Sequence, residues 1–406
     1  MKTAQRSQEK MTESKPSPGL SRVYKALRKM TCATRPELAE ATGLSLPAVG
    51  TIVEALVNAG LAQLKDVEPE GRRGRPAQQV SICPEEHLVA AVDFSSPSAQ
   101  IGLYDLYGKQ LQQEKGRSSL GLAELGQGQA LDFILECLRK YPAAKAYGVN
   151  VPGFVQNGVV SHSWMFEFNQ AIDLKKELEA RLHAPVFIEN GVNSAAWGEY
   201  RTRQLRSPQS LVFLNFGQGV GAGLIIGGRL QRGAHGASGE VGLMPVGIEA
   251  FDQEEISLDH LGLHLDFVLT HLESSAATSM QTILMGERAF AALMEVTPDL
   301  TDPFGQVVER VMAGDRKAAA AIDQFNHYIA LMLTNMVLTI DPDFVVLQNS
   351  WPHTRELFFE PIRAYLKKFG ITADVSLSQV GSRVGLDGIA LLAAESLEQG
   401  LLQKAR

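Results

Sequence analysis

The sequence predicts an α/β protein in which an N-terminal winged helix-turn-helix precedes a duplicated α/β body. Three observations carry that expectation. Residues 20–82 order three short helical patterns with fitting caps, followed by a strand, a basic loop and a strand. Beyond Pro84 the pattern changes to strands mixed with helices. A signal of strand, polar loop, strand, turn and strand over residues 87–111 returns over residues 211–230, which indicates a duplicated body.

Length and composition fit this division. A chain of 406 residues exceeds a usual single domain, and 45% hydrophobic with 20% charged residues is ordinary globular composition. Cys32, Cys83 and Cys137 stand too far apart for a Cys-x-x-Cys zinc site and cannot all pair, so reduced cysteines in a cytoplasmic protein are expected. No run of about 18 apolar residues and no signal-peptide pattern occurs, so no membrane partner is expected. The net charge of −7 is uneven: residues 1–82 carry +5 and the remainder −12. A basic head on an acidic body suits a polyanion that meets the head alone; charge by itself fits a solvated basic tail equally well.

Taken in order, residues 1–19 read as a flexible arm, with Ser14, Pro16, Ser17, Pro18 and Gly19 opposing a helix. Val23, Ala26, Leu27 and Met30 then recur at helical spacing. Thr34-Arg35-Pro36-Glu37 is a capping box that starts a second helix, and Gly43 suits the left-handed residue that ends it. Ser45 is expected to cap a third helix that buries Val49, Ile52, Val53 and Leu56. Its other side offers Ser45, Pro47, Ala48 and Thr51 to the major groove, where small side chains favour contact with thymine methyls. Arg72, Arg73 and Arg75 in the following loop suit the narrow minor groove of A·T-rich DNA.

In the body, strands are expected at His87–Phe94, Ala99–Asp105, Lys109–Leu111 and Ala146–Val151, with a helix at about 122–140. Strands follow at Leu211–Phe216, Ala222–Ile226 and Asp343–Gln348, with long helices at about 316–340 and 384–403. The domains are placed at 20–82, 83–198 and 199–384.

From about Ser21 onward the chain resembles the repressor branch of the ROK family (repressor, open reading frame, kinase). The resemblance is carried by the wing Gly71-Arg72-Arg73-Gly74-Arg75-Pro76 and by four body motifs in order: Val151-Pro152-Gly153, Glu189-Asn190, Gly217–Gly223 and Gly239-Glu240-Val241-Gly242. It implies two lobes of the actin-like ATPase, sugar-kinase type around a cleft, the first (83–198) completed by the C-terminal helix 385–406 and the second (199–384) serving dimerisation and the effector cleft. It also implies that Gly153, Asn190 and Glu240 occupy sugar-binding positions, with Asp259 in place of a later Glu. From the residues alone, Asn190 is equally a turn before Gly191, and Glu240 a cap or an inter-lobe hydrogen bond.

The departures from the kinases are specific. Their opening Asp-x-Gly-Gly-Thr phosphate turn reads Asp93-Phe94-Ser95-Ser96-Pro97-Ser98, which lacks both glycines. Gly217-Gln218-Gly219 replaces Gly-Thr-Gly, Gln348-Asn349 replaces the glycine pair near adenosine, and Gly191 stands where the kinases carry the Asp that acts as general base. Leu243 replaces the zinc-binding His, and residues 244–290 hold no cysteine. His235, His260, His264 and His271 are scattered, and Trp164, Phe166 and Phe168 suit a core as well as a cleft. No catalysis, no metal and no cofactor are therefore expected.

The functional expectation is a DNA-binding regulator of sugar metabolism, a repressor by resemblance. It would bind double-stranded DNA at an A·T-rich inverted repeat as a homodimer or tetramer, with a sugar or sugar derivative as possible effector. Two alternatives stand beside it: an active sugar kinase with an added head, and a regulator whose body serves only assembly or docking.

Overall fold

The computed structural model describes residues 16–67, 77–94, 98–118, 127–162, 171–203, 208–216, 220–244, 303–348 and 353–405. The wing arginines Arg72, Arg73 and Arg75, the aromatic residues 164, 166 and 168, Asp259 and the stretches 95–97 and 217–219 lie outside them.

The head begins earlier than expected. Helix α1 spans Pro18–Met30 because Ser17 accepts from the Leu20 amide at 3.2 Å and Pro18 opens the first turn, where no N–H is required. Pro18 and Gly19 thus start a helix instead of opposing one. Strand β1 (Cys32–Thr34) leads into α2 (Arg35–Thr42), where the Glu37 carboxylate accepts from the Thr34 amide at 2.7 Å and completes the capping box. Gly43, at φ 67°, turns the chain towards α3 (Leu46–Asn58). Strands β2 (Ala62–Val67) and β3 (Ala77–Ile82) pair antiparallel, and β1 joins them in the order β1-β3-β2. At three residues, β1 is too short to leave a period in the sequence.

The first body sheet comprises β4 (Val89–Asp93), β5 (Ser98–Tyr104), β6 (Gln110–Ser118), β7 (Ala146–Val151) and, in chain order after three short strands, β11 (Val186–Asn190). Those short strands, β8 (Phe154–Gln156), β9 (Val159–His162) and β10 (Ile172–Asp173), form a separate small sheet. The main order is β11-β7-β4-β5-β6, with an antiparallel meander β4–β6 and parallel β4, β7 and β11. Helices α4 (Gln127–Arg139) and α5 (Leu174–Leu182) cover one face through Ile134, Leu138, Leu174 and Leu178.

The second sheet repeats this plan. After α6 (Gly191–Thr202), β12 (Leu211–Phe216), β13 (Val220–Ile226) and β14 (Arg229–Gln231) form the meander. Helices α7 (Pro303–Met312) and α8 (Arg316–Ile340) follow. Strand β15 (Phe344–Leu347), helix α9 (Glu360–Lys368) and β16 (Asp374–Leu377) complete the order β14-β13-β12-β15-β16, with β12, β15 and β16 parallel. The C-terminal helix α10 spans Val384–Lys404. Among the described residues, no single helix is long and apolar enough to cross a membrane.

The helices between the sheets are exchanged relative to chain order. Ala195, Ala196 and Tyr200 of α6 pack on Leu211, Phe213 and Ile225 of the second sheet, whereas Leu386, Ile389 and Ala390 of α10 pack on Ala91 and Tyr104 of the first. A boundary at 198/199 therefore cuts through α6, which runs from Gly191 to Thr202. The two helices cross so closely that a Cβ on Gly388 would lie 1.8 Å from the Ser194 carbonyl oxygen, and one on Gly198 would lie 2.7 Å from that of Val384.

Candidate functional site

Two surfaces combine functional side chains: the outward side of α3 and the seam between the body sheets. In α3, Val49, Val53 and Leu56 are buried against α1 and α2, so Ser45, Pro47 and Thr51 are exposed and Ala48 half-buried. Ser45 holds the N-cap position in extended backbone, yet its side chain makes no capping hydrogen bond. A cap normally serves the amides of the second or third helical residue, and the second is Pro47, which has none. The Ser45 hydroxyl is thus left at the surface. Thr51 donates its hydroxyl to the Pro47 carbonyl at 3.3 Å, keeping its oxygen lone pairs for an external donor.

The head is fused to the body through one apolar cluster. Leu20, Val23, Leu27 and Leu56 share it with Leu106 of the first lobe and with Leu402 and Ala405 at the end of α10 and beyond. Polar contacts fix the same joint. Glu398 of α10 accepts from the Tyr24 hydroxyl at 2.7 Å and pairs with Arg28 at 3.0 Å, while Arg28 lies 4.2 Å above the Tyr107 ring. Burial and the Glu398 charge push the Tyr24 hydroxyl far above its usual range, so it remains a donor.

At the seam, Asn190 ends β11 and caps α6. Its Oδ1 accepts from the amides of Val192 (2.8 Å) and Asn193 (3.3 Å), while its Nδ2 donates to the Gly153 carbonyl at 2.9 Å. Gly153 has φ 140°, a conformation that only glycine adopts readily. Gly153 and Asn190, two of the four positions named by the resemblance, are therefore joined directly, and Asn190 is the N-cap of α6.

Glu240 sits beside Gly239, whose carbonyl accepts from the Ala222 amide at 2.7 Å. A Cβ on Gly239 would lie 1.8 Å from the Ala222 oxygen, which explains that glycine of the motif. The first turn of α6 lies on the same strand, with the Val192 oxygen 2.6 Å from a Cβ built on Gly223. Glu240 is half-buried and stands at the cap of a short 3-10 turn without capping it. Burial lifts its carboxyl to about 7. Among the described residues its carboxylate has no hydrogen-bond partner.

Sequence reading missed the side chains that close this seam. Glu189, buried in β11, accepts from the Asn193 side chain at 3.1 Å and pairs with Arg232, beyond β14, at 2.6 Å. The Gln156 amide donates to the Ala234 carbonyl, and Gly236, at φ 76°, meets the backbone of Val155. Asn150 of β7 bridges both exchanged helices, donating to the Gly385 carbonyl at 2.9 Å and accepting from the Ser194 hydroxyl at 2.6 Å. Glu189 stood in a quoted motif; Arg232 and Asn150 carry no spacing that marks them.

The model of the ROK family matches residues 89–396. The xylose repressor of Bacillus spizizenii is 24% identical over 351 residues, covering 84% of this chain and 84% of that protein. The glucokinase of Streptomyces coelicolor is 26% identical over 264 residues, covering 62% of this chain and 80% of the enzyme. Among solved structures, a ROK transcriptional regulator described as a homolog of the E. coli Mlc protein superposes with a TM-score of 0.72 at 19% identity. That superposition covers 95% of this chain and 98% of the other, so the fold is a helix-turn-helix head on an actin-like ATPase body.

Proposed function

The chain belongs to the ROK family, and from that premise we propose that it is a sequence-specific DNA-binding regulator, a repressor of sugar-metabolism genes. The observation that carries this reading is the head's apolar core, which takes in Leu106 of the body and Leu402 and Ala405 near the C-terminus. A head whose core takes in residues of the body presents α3 in a geometry that the body can set. The similarity to a xylose repressor over 84% of both chains supports the same reading.

The body acts without catalysis in this proposal. Gly191 opens α6 where the kinases place a catalytic Asp, and Asp93 leads into a segment without the two phosphate-turn glycines. Its retained role is to bind a sugar or sugar derivative at Glu240, with Asn190 holding the Gly153 turn and Asp259 a further candidate. The protein works as a homodimer whose paired heads, each with Arg72, Arg73 and Arg75 in its wing, read an A·T-rich inverted repeat.

Selection of random duplex DNA by the purified protein tests this directly. Enrichment of an inverted repeat, released by one member of a sugar panel, is the expected outcome. Failure to enrich any sequence refutes the regulator, and sustained ADP formation from ATP with any hexose refutes the silent body.

A further inference from the structure

On α3, Leu46, Gly50 and Glu54 follow one another at intervals of four and so form one row on the helix surface. Each is unexplained by the interior of the protein. Leu46 is 50% exposed, although apolar positions elsewhere in α3 are filled by the head's core. Gly50 lies in the helix, its φ is not positive, and a Cβ built on it meets nothing within 4 Å. Neither a turn nor a packing contact requires a glycine that costs about 0.5–1 kcal/mol relative to alanine. Glu54 is exposed and, among the described residues, its side chain makes no ion pair or hydrogen bond. The row flanks Pro47 and Thr51 on the side proposed to enter the major groove.

A carboxylate there repels phosphate, so the row cannot serve general attraction to the DNA backbone. It can accept a hydrogen bond from the exocyclic amine of cytosine, the base that presents a donor to Glu in the major groove. The gap at Gly50, bordered by the Leu46 side chain, admits the methyl group of thymine at van der Waals distance. We propose that Leu46, Gly50 and Glu54 form a base-reading row, in which Gly50 and Leu46 seat a thymine methyl and Glu54 selects a nearby cytosine. This rests on the DNA-binding reading above.

The test uses the full chain and the duplex that the wild type enriches from random DNA. Gly50→Ala is expected to lower affinity for that duplex at least about tenfold while raising the melting temperature, because alanine suits the helix better. Replacing the contacted thymine by uracil, which lacks the methyl, weakens wild-type binding and leaves Gly50→Ala binding unchanged. Glu54→Ala relaxes discrimination at one base pair by about 5- to 150-fold, and Glu54→Gln shifts that preference towards adenine. Both Glu54 variants hold random DNA at least as tightly as the wild type, since a negative charge has gone. If both variants enrich the wild-type sequence unaltered and Gly50→Ala keeps wild-type affinity, the row is overturned while DNA binding stands. If the wild type enriches nothing, the regulator reading falls and the row with it.

Discussion

Asn190 donates its side-chain amide to the Gly153 carbonyl at 2.9 Å while its oxygen caps α6. One side chain thus ties the turn that follows β7 in the first sheet to a helix packed on the second. Removing it acts on both. Asn190→Ala is expected to cost about 1–2 kcal/mol in urea denaturation, in the range of lost helix caps. Asn190→Asp keeps an acceptor at the positive end of the helix and recovers part of that loss, yet cannot donate to Gly153. If the two variants are equally destabilised, the cap is not what Asn190 supplies.

Glu240 gives the protein a pH dependence with a definite sign. Burial raises its carboxyl from the ordinary 4.5 to about 7, so the folded state holds a proton that the unfolded chain releases within that window. Its contribution to stability is full below about 4.5, falls as pH rises and is lost above about 7. Glu240→Gln removes this term. Relative to the wild type, the variant is expected to gain about 1–3 kcal/mol between pH 5 and pH 7.5, discounted for partial exposure. Parallel urea titrations at the two pH values measure it, and a constant difference rejects a buried, unpaired carboxyl.

Much of this fold was legible from local chemistry. The Thr34–Glu37 capping box, Gly43, the strands 146–151 and 211–216 and the long helix 316–340 depend on caps and periods that the sequence displays openly. The errors arise where tertiary context decides. Pro18 reads as a breaker although Ser17 caps the helix that it opens, and a boundary at 198/199 falls inside α6 because the packing of α6 on the second sheet leaves no mark in chain order. The site follows the same rule. Motifs marked Gly153, Asn190 and Glu240, but the Glu189–Arg232 pair joins residues 43 apart in sequence with no repeat to betray them.

The crossing of α6 and α10 predicts opposite outcomes for two glycines on one helix. An alanine at Gly388 places its Cβ 1.8 Å from the Ser194 oxygen, and backbone on both helices must shift. Gly388→Ala is therefore expected to cost more than about 3 kcal/mol or to prevent folding. Gly400 lies later in α10 with nothing within 4 Å, and Gly400→Ala should stabilise by about 0.5–1 kcal/mol. Thermal denaturation of the two variants separates steric exclusion from helix propensity. Equal melting temperatures would mean that the crossing is looser than these distances.

The same helix meets the head at its far end, where Glu398 fastens it. Helix α10 has its first turn among Asp93, Asn150 and Ser194 and its last turns in the head's core, a span of about 30 Å at 1.5 Å per residue. Glu398 is the polar fastening there, only 13% exposed in its side chain, with both Tyr24 and Arg28 upon it. Glu398→Ala leaves the Tyr24 hydroxyl without that acceptor and Arg28 without its partner, at an expected cost of about 1–3 kcal/mol. In the homodimer proposed above, loosened heads would not hold a fixed separation, so affinity for a two-half-site operator should fall more than affinity for a single half-site. The Glu398→Ala and Arg28→Ala pair in a double-mutant cycle should couple by about 0.5–3 kcal/mol in stability. If operator and half-site affinities drop in equal proportion, Glu398 supports the folding of the head without setting its orientation.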